Sequence, residues 1–158
     1  DLLVKPTMET KRKQEEFYNR HDVSEFQTLL RAYDKAAALN FDPTACAPYG
    51  IHGRAAFESM RSFEQIMGLC RRQGLPTEHT NDDPVALAKA LLSAFSDHLG
   101  VETGTGSRVY SLAGGYKGHV EKDCHIKPPA LLVASEIAEI QGRALQVKLN
   151  LVTRVEQE

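Results

Sequence analysis

Near Gly100 the spacing of apolar residues changes from one that suits helices to one that suits strands. A helix brings every third or fourth residue to one face and a strand every second, so a single element type cannot serve both halves. The chain is therefore expected to be α+β, with an N-terminal helical bundle followed by a small antiparallel β-barrel. At 158 residues it has material for one good core or two small ones.

Residues 1–21 are polar and charged, with Lys11-Arg12-Lys13 followed by Glu15-Glu16, and read as a helix-prone linker or the end of a truncated element. A helical domain is expected over 22–100. Asp22 and Ser24 each have Glu or Gln three residues on (Glu25, Gln27), the spacing of a capping box. Phe26, Leu29, Leu30, Tyr33 and Ala37 then share one face of a helix that should end near Asn40. Asp42-Pro43 sets an N-cap before a proline at the first helical position, opening a short helix that Pro48 and Gly50 stop. A long helix is expected from about Gly53 to Gln73, with Gly74 as its stop. Its stripe Ala56, Met60, Phe63, Met67 and Cys70 repeats at four and three residues and reads as core. Arg54, Glu58, Arg61, Gln65 and Arg72 lie on the opposite face. Asp83-Pro84 opens a last helix, with Leu87, Ala88, Leu91, Leu92 and Phe95 inward and Gly100 ending it.

The remaining residues, 101–158, are expected to form the β domain. Gly104-Thr105-Gly106 reads as a loop, Arg108–Ala113 as a strand, Gly114-Gly115 as a turn and Tyr116–Lys122 as the hairpin partner. Pro128-Pro129 precedes a strand from Ala130 to about Ala138, and Gln141-Gly142 turns into the clearest strand. There Leu145, Val147, Leu149 and Leu151 point one way and Gln146, Lys148 and Asn150 the other, which means one face buried and one wet. Four or five such strands suggest a small, partly open barrel.

Several kinds of chemistry are missing. The chain has no G-x-x-x-x-G-K-[ST] phosphate loop, and Gly104-x-Gly106 lacks the third glycine of a dinucleotide site. It has no H-E-x-x-H, G-x-S-x-G or C-x-x-C motif. His119, Cys124 and His125 come nearest to a metal cluster, but adjacent Cys124-His125 suit two ligand positions poorly, and surface or half-buried polar roles are the better reading. Neither metal, cofactor nor catalytic residue is expected in this chain, and it is not expected to be an enzyme by itself. Three scattered cysteines argue for reduced thiols and a cytoplasmic setting. No apolar run approaches the ~20 residues of a membrane helix. Leu2-Leu3-Val4 is too short for a signal peptide, and Asp1 in place of Met suggests a piece of a longer chain. The net charge of −2 is unlike that of a free-standing nucleic-acid binder, so any contact with phosphates must come from local clusters.

Three helical stretches and two β stretches together resemble a known family. Asp22-Val23-Ser24-Glu25-Phe26 through Leu30-Arg31-Ala32-Tyr33 resembles the opening helix of the helicase-associated, or ratchet, domain of DEAH-box helicases. Tyr49-Gly50-Ile51-His52-Gly53-Arg54-Ala55, with Met60, Phe63, Gln65 and Ile66, resembles its long ratchet helix. Ala86-Leu87-Ala88 through Ala94-Phe95-Ser96-Asp97 resembles the helix that leads into the family's OB-fold. Tyr110 to Gly115 and Pro129 to Glu136 are similar to that OB-fold's hairpin and next strand. The order of the motifs, over roughly 22–155, is closest to the bacterial HrpB-type ATP-dependent helicases. Ser96 stands where the family usually has proline, and His52 near a place where it often has asparagine.

The resemblance implies a C-terminal accessory region without its own ATPase motifs. It implies that two RecA-like domains, carrying ATP and Mg, and most of a winged helix lie upstream and are its partners. This region would then form one wall of a channel around single-stranded RNA or DNA. The nucleic-acid-binding candidates are His52, Arg54, Arg61 and Gln65 on the long helix, and Arg108, Tyr110, Lys117, Lys122 and Lys148 on the β domain. Each set has a plainer reading. Arg54–Glu58 and Glu58–Arg61 have intrahelical pair spacing, and a strand tyrosine can be core or rim. The alternative function is a protein-docking or regulatory module, using the OB surface or the helical face.

Overall fold

The computed structural model describes residues 1–78, 83–140 and 146–156. The chain is α+β and divides into two compact units, residues 1–19 with 28–82 and residues 20–27 with 83–158.

The first unit holds α1 (Lys11–Glu15), most of α2 (Glu25–Ala38), α3 (Pro43–Cys46) and α4 (Gly53–Arg72). The N-terminal residues expected to be a linker are part of this unit. Phe17 is buried with Ala32, Ala36, Cys46, Ile51 and Ala56. Gln14 is buried too, and its Nε2 donates to Val4 O at 2.8 Å and Gly50 O at 3.1 Å, so one amide ties the first strand-like residues to the turn before α4. Gly50 has φ +63°, and a Cβ there would meet the Gln14 side chain, so only glycine fits. The buried stripe of α2 is Thr28, Ala32 and Ala36, not the larger residues expected; Leu30 and Ala37 are exposed. Small side chains at four-residue spacing let neighbouring backbone approach closely. α3 starts as expected, with the Asp42 carboxylate accepting from Ala45 N–H at 2.7 Å and Pro43 at the first position. α4 also keeps its expected ends, but Phe63, Ile66 and Leu69 are mostly exposed, so its stripe is core only near Gly53 and Ala56.

The second unit is a closed five-stranded barrel with α5 (Pro84–Ala94) and the short segment 20–27. Asp83 caps α5 through Val85 N–H at 2.9 Å, with Pro84 next. The helix ends at Phe95, and Gly100 does not stop it. Gly100 lies inside β1 (Leu99–Glu102), a strand missing from the expected set, where a Cβ would come within 3.0 Å of Leu112 and 3.1 Å of Tyr110. The strands β2 (Val109–Leu112), β3 (Lys117–Val120), β4 (Leu131–Ile140) and β5 (Gln146–Arg154) follow. The order around the barrel is β1-β2-β3-β5-β4; β3 and β5 are parallel and the other neighbours antiparallel. This is compatible with an OB-like barrel.

Tyr110, Leu112, Val120, Leu132, Ala134, Val147, Leu149 and Val152 fill the interior. The alternation on β5 breaks at Leu151, which has φ +51°, so Val152 rather than Leu151 turns inward. β4 slips in step: Leu132 and Ala134 face the core, then Ile137 packs against it. Ser135 and Leu151, which the register would place opposite one another, form no pair. The expected turn at Gln141-Gly142 and the inward Leu145 lie outside the described residues. Beside β5, Ser24 Oγ and Thr153 Oγ1 share a buried hydrogen bond of 2.7 Å, and Val152 N–H donates to Glu25 Oε2 at 2.7 Å. Ser24 and Gln27 form the expected capping box, Gln27 Oε1 accepting from Ser24 N–H at 3.1 Å and Phe26 N–H donating to Ser24 Oγ at 3.2 Å.

Candidate nucleic-acid interface

Two sets of residues bear on nucleic-acid contact, one in each compact unit. On α4 the observed roles are local. His52 is the N-cap, its Nδ1 accepting from Ala55 N–H at 3.0 Å. Arg54 Nε donates to Glu58 Oε1 at 3.1 Å, an exposed pair one helical turn apart. Such pairs contribute little to stability and leave the guanidinium partly committed. Arg61 and Gln65 are exposed.

The barrel set is sorted by the pleat. On β3, Gly118 and Val120 are buried, so Lys117 and His119 stand on the outer face. His119 lies opposite Val109 on β2 and Lys148 on β5, and Lys117 lies opposite Ser111. Leu149 points into the core, which leaves Lys148 on the outside. The outer face of β2, β3 and β5 thus carries a row of Val109, His119 and Lys148, with Lys117 beside it.

Glu121 follows β3 directly and organises this row. Its Oε1 is 3.6 Å from His119 Nε2 and 3.5 Å from Lys148 Nζ. Its main-chain oxygen accepts from Arg108 Nη1 at 2.6 Å. Arg108 ends the loop between β1 and β2 with φ +56°, and that bond ties its side chain to the end of the neighbouring β3, where Val120 N–H also donates to Arg108 O. Lys122, the next residue after Glu121, is exposed.

Tyr110 is a correction. It was a candidate for base stacking, but its ring is completely enclosed and its hydroxyl donates to Pro129 O at 2.9 Å. Burial, reinforced by nearby Glu102, pushes its phenol up to about 12. The parity of β2 carried the signal, because Tyr110 and Leu112 are two residues apart and share the inward face. Tyr116, just before β3, is 41% exposed, and its ring lies over Gly114 in the β2–β3 turn. Sequence reasoning singled out neither Tyr116 nor Glu121.

No protein-family model and no curated protein matches the chain. Function therefore rests on the geometry of the site and on the order of motifs in the sequence.

Among the described residues no three His, Cys, Asp or Glu side chains converge as a metal site requires. Cys124 lies in the turn region beyond β3, and burial, then the Glu25 carboxylate, pushes its thiol up to about 12. A thiol so protonated is a poor nucleophile and a poor metal ligand. His125 Nε2 is 3.5 Å from the buried Asp22 carboxylate, an arrangement that fastens segment 20–27 to the barrel. No helix among the described residues is long and apolar enough to cross a membrane.

Proposed function

We propose that this chain is a non-catalytic accessory region of an ATP-driven helicase, and that its barrel lays single-stranded nucleic acid across the outer face of β2, β3 and β5. The observation that carries the reading is the barrel itself. Its strand order is compatible with an OB-fold, and OB-folds bind oligonucleotides on the face of strands 2 and 3 and the adjoining loops. On this chain that face presents Lys117, His119 and Lys148, with Arg108 and Lys122 at its edge.

Lysines supply point charges to phosphates. The chain is acidic overall and the face is small, so affinity is weak, with Kd on the order of 10–100 μM at physiological salt. ATP and Mg belong, on this reading, to RecA-like domains elsewhere in the parent chain. Loose binding is useful in a channel wall, because a strand held too tightly there would resist translocation.

The test is fluorescence anisotropy of a labelled, unstructured oligonucleotide with the purified chain over a salt series. Lys117→Gln with Lys148→Gln is expected to weaken binding about tenfold and to flatten the log–log salt slope by about 1.4, two contacts at ~0.7 each. Equal affinity and slope for the double variant would remove the barrel face from the site.

A second reading, docking to a protein such as the parent's own upstream domains, is favoured by α4. Phe57, Phe63, Ile66 and Leu69 on that helix are all more than 40% exposed, more apolar surface than one solvated helix needs. Association with those domains that ignores salt and needs no nucleic acid would support it.

A further inference from the structure

Glu121 gathers basic side chains from three separate elements. Arg108 reaches its main-chain oxygen from the β1–β2 loop, His119 reaches its carboxylate from β3, and Lys148 reaches the same carboxylate oxygen from β5. The two contacts to Oε1, at 3.6 and 3.5 Å, are longer than the 2.7–2.9 Å typical of a charge-assisted hydrogen bond. The carboxylate is 40% exposed, and it follows the last residue of β3 in a turn. Its backbone, in contrast, is fixed by the 2.6 Å bond from Arg108, so the side chain can swing out while the main chain stays in place.

We infer that the Glu121 carboxylate occupies the seat of a backbone phosphate, and that a single strand binds this face by displacing it. The inference rests on the function proposed above and adds the position of one phosphodiester and the element that competes for it. A phosphodiester carries one negative charge on two unbridged oxygens, as a carboxylate does, so the same donors can take it. His119 and Lys148 then hold the incoming phosphate, Lys117 and Lys122 lie on either side for its neighbours, and Glu121 turns to solvent. Glu121 acts as a built-in competitor that keeps the face weak for non-specific polyanions and lets a strand slide from seat to seat.

The experiment compares wild type with Glu121→Gln and Glu121→Ala, using a labelled oligothymidylate in anisotropy titrations over a salt series. Circular dichroism and thermal melts check that each variant is folded. Removing the competitor is expected to tighten binding about three- to tenfold. It should also steepen the salt slope by about 0.7, one more counterion released from the strand. Adding Lys148→Gln to Glu121→Gln should cancel that gain. Inorganic phosphate should compete no better than chloride at equal ionic strength, as expected for a seat that takes a diester within a strand; stronger competition by phosphate would overturn the diester assignment. Affinity and slope unchanged in both Glu121 variants, while Lys117→Gln with Lys148→Gln still weakens wild type, would overturn the competitor and leave the interface standing. No salt-dependent binding by any variant, wild type included, would instead overturn the interface itself.

Discussion

In the barrel, Tyr110, Leu132 and Leu149 are enclosed, whereas on α4 Phe63, Ile66 and Leu69 are each more than half exposed. The two regions have comparable apolar patterning in sequence and reach opposite outcomes. A sheet that closes on itself makes its own interior, so an alternating strand finds cover from the next strands round. A single amphipathic helix has no such guarantee, because its apolar face is covered only where another element is supplied. Apolar spacing therefore reports what lies inside for the barrel, and only which residues share a face for α4.

The largest expected effect sharpens that contrast. Leu149→Ala should cost about 2–5 kcal/mol, the range for emptying a filled core position. Phe63→Ala should shift stability by about 0.5 kcal/mol or less, since little is lost at a mostly exposed site. Denaturant unfolding followed by circular dichroism measures both. A Phe63→Ala cost equal to that of Leu149→Ala would erase the difference between the two regions.

Alkaline pH probes the barrel next. Tyr110 and Cys124 both have folded pKa values raised to about 12, so folding favours their neutral forms. Their contribution is fully present below the ordinary values near 9 for the thiol and 10 for the phenol, and is lost as pH rises towards 12. Stability of the barrel should fall across this window, and the fall should be shallower in Tyr110→Phe. Parallel curves for the two proteins would mean that the phenol is not held in its buried, neutral state.

A smaller effect is expected at the segment that lies along β5. Ser24→Ala removes both the helix cap and the bond to Thr153, and should cost about 1–2 kcal/mol in thermal or chemical unfolding. The smallest is at the surface of α4. Arg54→Ala breaks an exposed pair with Glu58 and should change stability by less than about 1 kcal/mol.

Much of the fold was legible where its cause is local. The Ser24–Gln27 box, Asp42-Pro43 and Asp83-Pro84 mark helix starts because capping is settled within four residues. β2, β3 and β4 were legible because turn residues bracket them. Gly100 was misread since glycine marks both a helix stop and a place where backbones crowd, and only the neighbours Tyr110 and Leu112 decide between them. Leu151 was misread because strict alternation cannot register one left-handed residue. In the candidate site, the outward placement of Lys148 followed from period two. The role of Glu121 did not, because it depends on the parallel pairing of β3 with β5, a contact between residues far apart in the chain.

The most direct test of the interface is a titration of ¹⁵N-labelled protein with a short, unstructured oligonucleotide, following each backbone amide at low and at moderate salt. The amides of Val109, Lys117, His119, Glu121 and Lys148 are expected to shift together and to return as salt is raised, while those of Arg54, Arg61 and Gln65 stay still. Shifts confined to α4, or none that respond to salt, would contradict a strand lying on the outer face of β2, β3 and β5.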